Sequence, residues 1–122
     1  MTTKIDLRTS LNLPVTENTT SSELFQNQTL RPVLKLQNDM YLALFSSYTL
    51  RQNADFEAGS IQKKRIFIEQ SLQKDAVLKN TFIGITIGMF TLQELQTYNA
   101  DHKEFNKRII TMLIERLKSQ MK

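Results

Sequence analysis

From Leu30 to Met121 the large apolar side chains return every three or four residues, and no proline interrupts them after Pro32. That spacing gathers apolar groups on one side of an α-helix, whose turn is ~3.6 residues. A chain patterned in this way has to bury helical stripes against one another, so the fold class is all-α, a small helical bundle. At 122 residues the chain fits one domain of the usual ~150-residue scale. A folded chain of this mass exposes roughly 6,800 Å², against about 20,600 Å² when extended, so it has enough buried surface for one core.

Local signals divide the pattern into elements. Ser22 is placed to cap a short turn through Phe25. Thr29 offers a hydroxyl cap for a helix from Leu30 to about Arg51, with Pro32 in its first turn, where a missing N–H costs little. Two apolar rows run along this helix: Val33, Leu36, Met40 and Leu44, and beside them Leu30, Leu34, Tyr41, Phe45 and Tyr48. So broad a face predicts a central helix touched by at least two others. Gln52 to Gly59 is polar except for Phe56. Ser60 caps a second helix, Ile61 to about Lys74, with Ile61, Arg65, Ile68 and Leu72 in one row.

Asp75 caps a third element, Ala76 to Met89. Residues 82–90 are rich in β-branched side chains and also suit a buried strand. The helical reading is preferred, because Val77, Leu78, Phe82 and Ile85 recur at helical spacing behind a capping aspartate. Gly84 and Gly88 stand four apart, and on a helix they would share one face. Each glycine costs ~1 kcal/mol of helix propensity, so a close-packed neighbour or a ligand is expected there. Thr91-Leu-Gln-Glu94 has the spacing of a capping box. Beyond it one seam runs through Leu95, Tyr98, His102, Phe105, Ile109, Leu113 and Leu117 with no glycine or proline. A single helix of about 30 residues would be ~45 Å long and would reach past the bundle. A break near residues 99–103 is the alternative.

Residues 1–22 read differently. They are rich in Thr, Ser and Asn, yet Ile5, Leu7, Leu11, Leu13 and Val15 all fall on odd positions. That is the two-residue period of an extended segment with one apolar side. An isolated strand is not stable alone, so this arm is expected to lie along the domain or along a partner chain. The expected organisation is an extended arm over 1–22 and one helical domain over 23–122, built of three to four principal helices.

The residue inventory excludes several chemistries. There is no cysteine and one histidine, so disulfides, thiolate metal sites, cysteine nucleophiles and multi-histidine sites are absent within one chain. No Glu-x-x-His occurs, which removes the di-metal bundle chemistry that depends on it. No phosphate-binding glycine loop, dinucleotide fingerprint, EF-hand or nucleophile elbow is present. No catalytic, cofactor-binding or metal-binding residue is therefore assigned. One polar group remains: His102, with Asn99 and Asn106 one turn to either side. With Gly84 and Gly88 it forms the candidate small-molecule pocket.

Sixteen basic residues against twelve acidic give a net charge of +4. Residues 103–122 hold six basic side chains against two acidic. Lys103, Lys107, Arg108, Arg116 and Lys118 are the candidate anion contacts. They do not alternate with aromatics as in single-strand binders, so nucleic acid is the less favoured partner. The longest apolar run, Phe82 to Phe90, is about half of what crosses a bilayer, and no signal-peptide core precedes it. No membrane contact and a cytoplasmic location are expected.

Five stretches look familiar as a group: Phe25-Gln-Asn-Gln-Thr-Leu-Arg-Pro32, Lys35-Leu-Gln-Asn-Asp39, Gly88-Met-Phe-Thr91, Asn106-Lys-Arg-Ile109 and Ile114-Glu-Arg-Leu-Lys-Ser-Gln120. Over residues 23–122 the chain resembles short bacterial helical proteins that sometimes carry the label "glyoxalase". The resemblance implies no site residue. The metal-dependent fold behind that label uses paired βαβββ units with His and Glu ligands, which one histidine and a helical pattern do not supply. The expected role is a non-enzymatic interaction module, a homodimer, because the apolar rows of the first and last helices exceed what one small bundle covers.

Overall fold

Thr20 Oγ1 accepts the Glu23 amide at 3.1 Å and so starts the first helix, α1 (Ser21–Phe25). In the computed structural model, which describes residues 20–52 and 55–121, every element is helical. A π-helical turn (Gln26–Leu30) continues α1 into α2 (Arg31–Leu36), and α3 (Asn38–Gln52) follows after a kink at Gln37. A short 3-10 turn (Phe56–Ala58) leads to α4 (Ile61–Lys74), α5 (Ala76–Ile87), α6 (Leu92–Ala100) and α7 (His102–Ser119). The fold is the expected small all-α bundle, with α3, α4, α5 and α7 as its principal helices.

Several local signals act as expected. Ser60 caps α4 and Asp75 caps α5, each accepting from the amide three residues on. Thr91 and Glu94 form both bonds of a capping box at the start of α6. Residues 82–87 are helical, so the β-branched run is not a strand.

Four expectations need correction. The first is the arm boundary. The helix starts at Ser21 with Thr20 as its cap, so residues 21 and 22 belong to the bundle and Ser22 is not the cap. The rest of the arm expected over 1–22 lies outside the described residues. The second is Thr29, which caps nothing. It sits in the π turn, buried, and its hydroxyl donates to Glu94 Oε2 at 3.1 Å. Through that turn the chain before α3 is fastened to α6.

The third correction concerns the helix expected from Leu30 to Arg51, which is kinked at Gln37 (φ −96°, ψ 13°). The Gln37 amide still donates to Val33 and the Tyr41 amide to the Gln37 carbonyl, so the path bends without parting. Asn38, just past the kink, exchanges amide bonds with Gln120 at 2.9 and 3.1 Å. The fourth concerns the long last helix, which is broken at Asp101 (φ −151°, ψ 56°). The 18 residues of α7 span ~27 Å, comparable with α3, so no long rod leaves the bundle.

The core is one cluster contributed by all of these helices. Phe105, Ile109, Leu113 and Leu117 of α7 are buried on the seam read from the sequence, and α7 packs on both α4 and α5. In α4 the buried row is Lys64, Ile68, Ser71 and Leu72, rotated from the expected one, and Ile61 lies outside it. Phe56 is the apolar anchor of the polar link. Its ring meets Phe45 at 5.8 Å and Phe67 at 5.4 Å, with the Lys64 ammonium 5.7 Å from its centroid.

Candidate interaction groove

α3 and α5 run antiparallel, and three contacts set their register. At one end the Tyr48 hydroxyl donates to Asp75 Oδ2 at 3.1 Å. At the other, the Tyr41 ring meets Phe82 edge-on at 5.7 Å, and its hydroxyl lies 2.7 Å from Thr86 Oγ1. Thr86 Oγ1 donates to the Phe82 carbonyl at 2.9 Å. A threonine hydroxyl has one proton, so the Tyr41 phenol supplies the other bond. Tyr41, Phe82 and Thr86 are completely sealed, and burial pushes the Tyr41 phenol above its ordinary pKa.

Over this sealed layer the two helices leave an apolar channel open. On the α3 side Leu36, just before the kink, is 38% exposed and Met40 is 50% exposed, with Leu44 half-buried one turn further on. On the α5 side Val77 is 78% exposed, Thr81 is exposed and Ile85 is half-buried. A cleft of about 320 Å³ opens where Leu44 and Tyr48 face Val77, Leu78 and Thr81. Met40 continues the Leu44 row by one helical turn, and Ile85 continues the Thr81 row.

The glycines do not form the close-packed contact expected of them. Both are exposed. A Cβ built on Gly84 meets nothing within 4 Å, and one on Gly88 meets only the Gly84 and Ile85 carbonyls of its own turn, at 3.3 and 3.4 Å. No described side chain of another helix stands against either of them.

The polar residues singled out from the sequence lie apart from the clefts beside α3, α4 and α5. His102 and Asn99 are exposed. The turn at Asp101 takes His102 off the seam, while Tyr98 and Phe105 keep their rings 6.4 Å apart across it. Asn106 is half-buried, and its side-chain carbonyl accepts from the Tyr98 hydroxyl. Gly84, Gly88 and His102 line neither the cleft between α3 and α5 nor those beside α4, at the 3-10 turn and at Lys74.

Three of the five candidate anion contacts are engaged inside the molecule. Arg108 donates to Glu104 at 3.0 Å and to Gln26 at 2.7 Å. Arg116 donates to Asn38 at 3.3 Å, and Lys118 pairs with Glu69 at 2.9 Å. Lys103 and Lys107 are exposed. A second cleft of about 350 Å³ lies between the 3-10 turn and α4, and its Lys64 is paired with Glu57 at 3.5 Å.

Asp75 has both carboxylate oxygens occupied, one by the Leu78 amide at 3.1 Å and one by Tyr48. The Leu78 amide is the main cause of its lowered pKa. It serves as a cap and offers no free base. Among the described residues no three His, Asp or Glu side chains come together as a metal site, and no helix is long and apolar enough to cross a membrane.

Met40, Leu44, Val77 and Thr81 were missed as site residues. One signal for Met40 and Leu44 was present, because they belong to one of the two apolar rows that together make the face of the first helix so broad. No family model, curated protein or solved structure matches this chain.

Proposed function

We propose that this protein is a non-enzymatic interaction module that self-associates through the channel between α3 and α5. The observation that carries the reading is the half-exposed Met40, which continues the row of Leu36 and Leu44 on α3 beside the cleft that Val77 and Thr81 of α5 border. A run of apolar groups across two helices, bordered by Arg51 and Asp75 at one end, is the kind of surface that marks a protein contact. Catalysis is less well supported, since Asp75, the carboxylate beside the cleft, is consumed as a cap. Nucleic-acid binding is less well supported because Arg108, Arg116 and Lys118 are held by internal partners.

Sedimentation velocity of the full chain at micromolar concentration tests this reading. The expected species has twice the 14.2 kDa chain mass. The double substitution Met40→Glu and Thr81→Glu, at exposed positions, should give a monomer with an unchanged helical circular dichroism spectrum. A wild-type chain that sediments as a monomer throughout the micromolar range overturns it.

A further inference from the structure

We propose that the cleft between the 3-10 turn and α4 binds a small aromatic carboxylate, the Lys64 ammonium taking the carboxylate and Phe56 and Phe67 taking the ring. The site is independent of the self-association surface, because this cleft shares no lining residue with the one between α3 and α5.

Lys64 occupies a place that an apolar side chain would fill. It stands in the buried row of α4 with Ile68, Ser71 and Leu72, and it is 8% exposed. Lysine is seldom buried so far unless its charge is met by a partner. Among the described residues the carboxylate it meets is that of Glu57, at 3.5 Å. A charge-assisted N–H···O bond is ordinarily ~2.7–2.9 Å long, so this pair is loose. The Glu57 side chain is 77% exposed, and an ion pair with so exposed a partner is weak. Lys64 Nζ also stands 5.7 Å from the Phe56 centroid. An ammonium carries three N–H groups, more than one loose carboxylate and a ring face use. Lys64 lines the cleft and Glu57 does not, so a ligand can reach the ammonium from the side that Glu57 leaves free.

Size and lining select the ligand. The cleft holds about 350 Å³, within the ~300–1,000 Å³ of small-molecule sites. Phe56 and Phe67 form its apolar wall, their centroids 5.4 Å apart and their planes at 54°. Rings set at such an angle accept a third ring edge-to-face. Lys63, exposed, adds a second positive charge to the lining, and Asp55 brings one negative charge. Two charges against one favour a monoanion. A flat ring with one carboxylate meets both the wall and the charge. On binding it takes the place of Glu57 at Lys64, so Glu57 acts as a competitor built into the chain.

Calorimetric titration of the full chain with 2-naphthoate tests the site, with 2-naphthamide as a probe of the same shape and no charge. The wild type should bind 2-naphthoate about tenfold more tightly than 2-naphthamide, which is what a hydrogen bond between charged groups contributes. Lys64→Met keeps the length of the stem and should lose about tenfold in 2-naphthoate affinity. Glu57→Gln, at an exposed position, should bind about threefold more tightly, because a weak competing ion pair is gone. Arg51→Gln, in the cleft between α3 and α5, should bind as the wild type does. An affinity that is unchanged or lower in Glu57→Gln overturns the proposal, even if Lys64→Met fails to fold. Equal binding of the two probes, loss of binding in Arg51→Gln, or no binding of 2-naphthoate in the millimolar range also overturns it. Sedimentation of the wild-type chain is unaffected by any of these outcomes.

Discussion

Replacing Gly84 by alanine should make this protein more stable, which is the opposite of what a close-packed glycine would give. Gly84 lies inside α5, where glycine costs ~0.8–1.0 kcal/mol of helix propensity relative to alanine. The added methyl group meets nothing within 4 Å, so no clash offsets the gain. The exposed methyl buries almost nothing, and the net expectation stays close to the propensity difference, about 1 kcal/mol. With an unfolding entropy of ~2.1 cal/mol/K per residue, a 122-residue chain should gain about 4 °C in melting temperature. Thermal unfolding followed at 222 nm reads the shift in the background of the Met40→Glu, Thr81→Glu double variant, because in a self-associated pair the surface around α5 is no longer open and association also moves the midpoint. Gly88→Ala is the internal comparison. That residue caps the end of α5, and its Cβ would stand 3.3 Å from the Gly84 carbonyl, so its gain should be smaller. A fall in melting temperature for Gly84→Ala would refute the reasoning, because it would mean that something occupies the space beside Gly84 in the isolated chain.

Two further outcomes are expected of the fold. Thr86→Val leaves the sealed Tyr41 hydroxyl without a partner and should cost about 1–3 kcal/mol, whereas Tyr41→Phe leaves Thr86 its bond to Phe82 and should cost about 0.5–1.5 kcal/mol. The double variant should cost less than the sum, and urea unfolding of the four proteins shows it; additive costs would mean that the two hydroxyls are not coupled. The folded-state pKa of Asp75 is lowered, so the stability it contributes is present above the unfolded carboxylate range near ~3.9 and disappears as pH falls through the folded value. Asp75→Asn keeps an acceptor for Leu78 and removes the titration. The difference in urea midpoint between the wild type and this variant should therefore shrink from pH 6 to pH 3, and a constant difference would exclude the carboxylate as the cause.

The reach of each interaction separates what could be read in the sequence from what could not. The capping box of Thr91 and Glu94, the caps at Ser60 and Asp75, and the apolar seam of α7 all act within a turn or two. Such signals are complete in the local sequence, and from them the helical class, most helix starts and much of the core followed. The breadth of the row through Leu36 and Met40 was legible as well, and half of Met40 does remain uncovered.

Where helices bend was decided by partners far along the chain. Thr29 was drawn to Glu94, 65 residues away, and became the buried anchor of a π turn where local spacing made it a cap. Asn38 found Gln120, 82 residues on, beside the kink at Gln37. The turn at Asp101 let α6 fold back with Tyr98 on Phe105, and it carried His102 out to solvent. The glycines show the same limit. Their spacing is visible in the sequence, but whether a neighbouring helix stands against them depends on how α3 is aligned with α5. That alignment is set by Tyr41 reaching Thr86 and Tyr48 reaching Asp75. Periodicity tells which side of a helix turns inward, because that side is defined by the helix itself. Which parts of the outer edge stay open is a property of pairs of helices, and only the folded chain determines it.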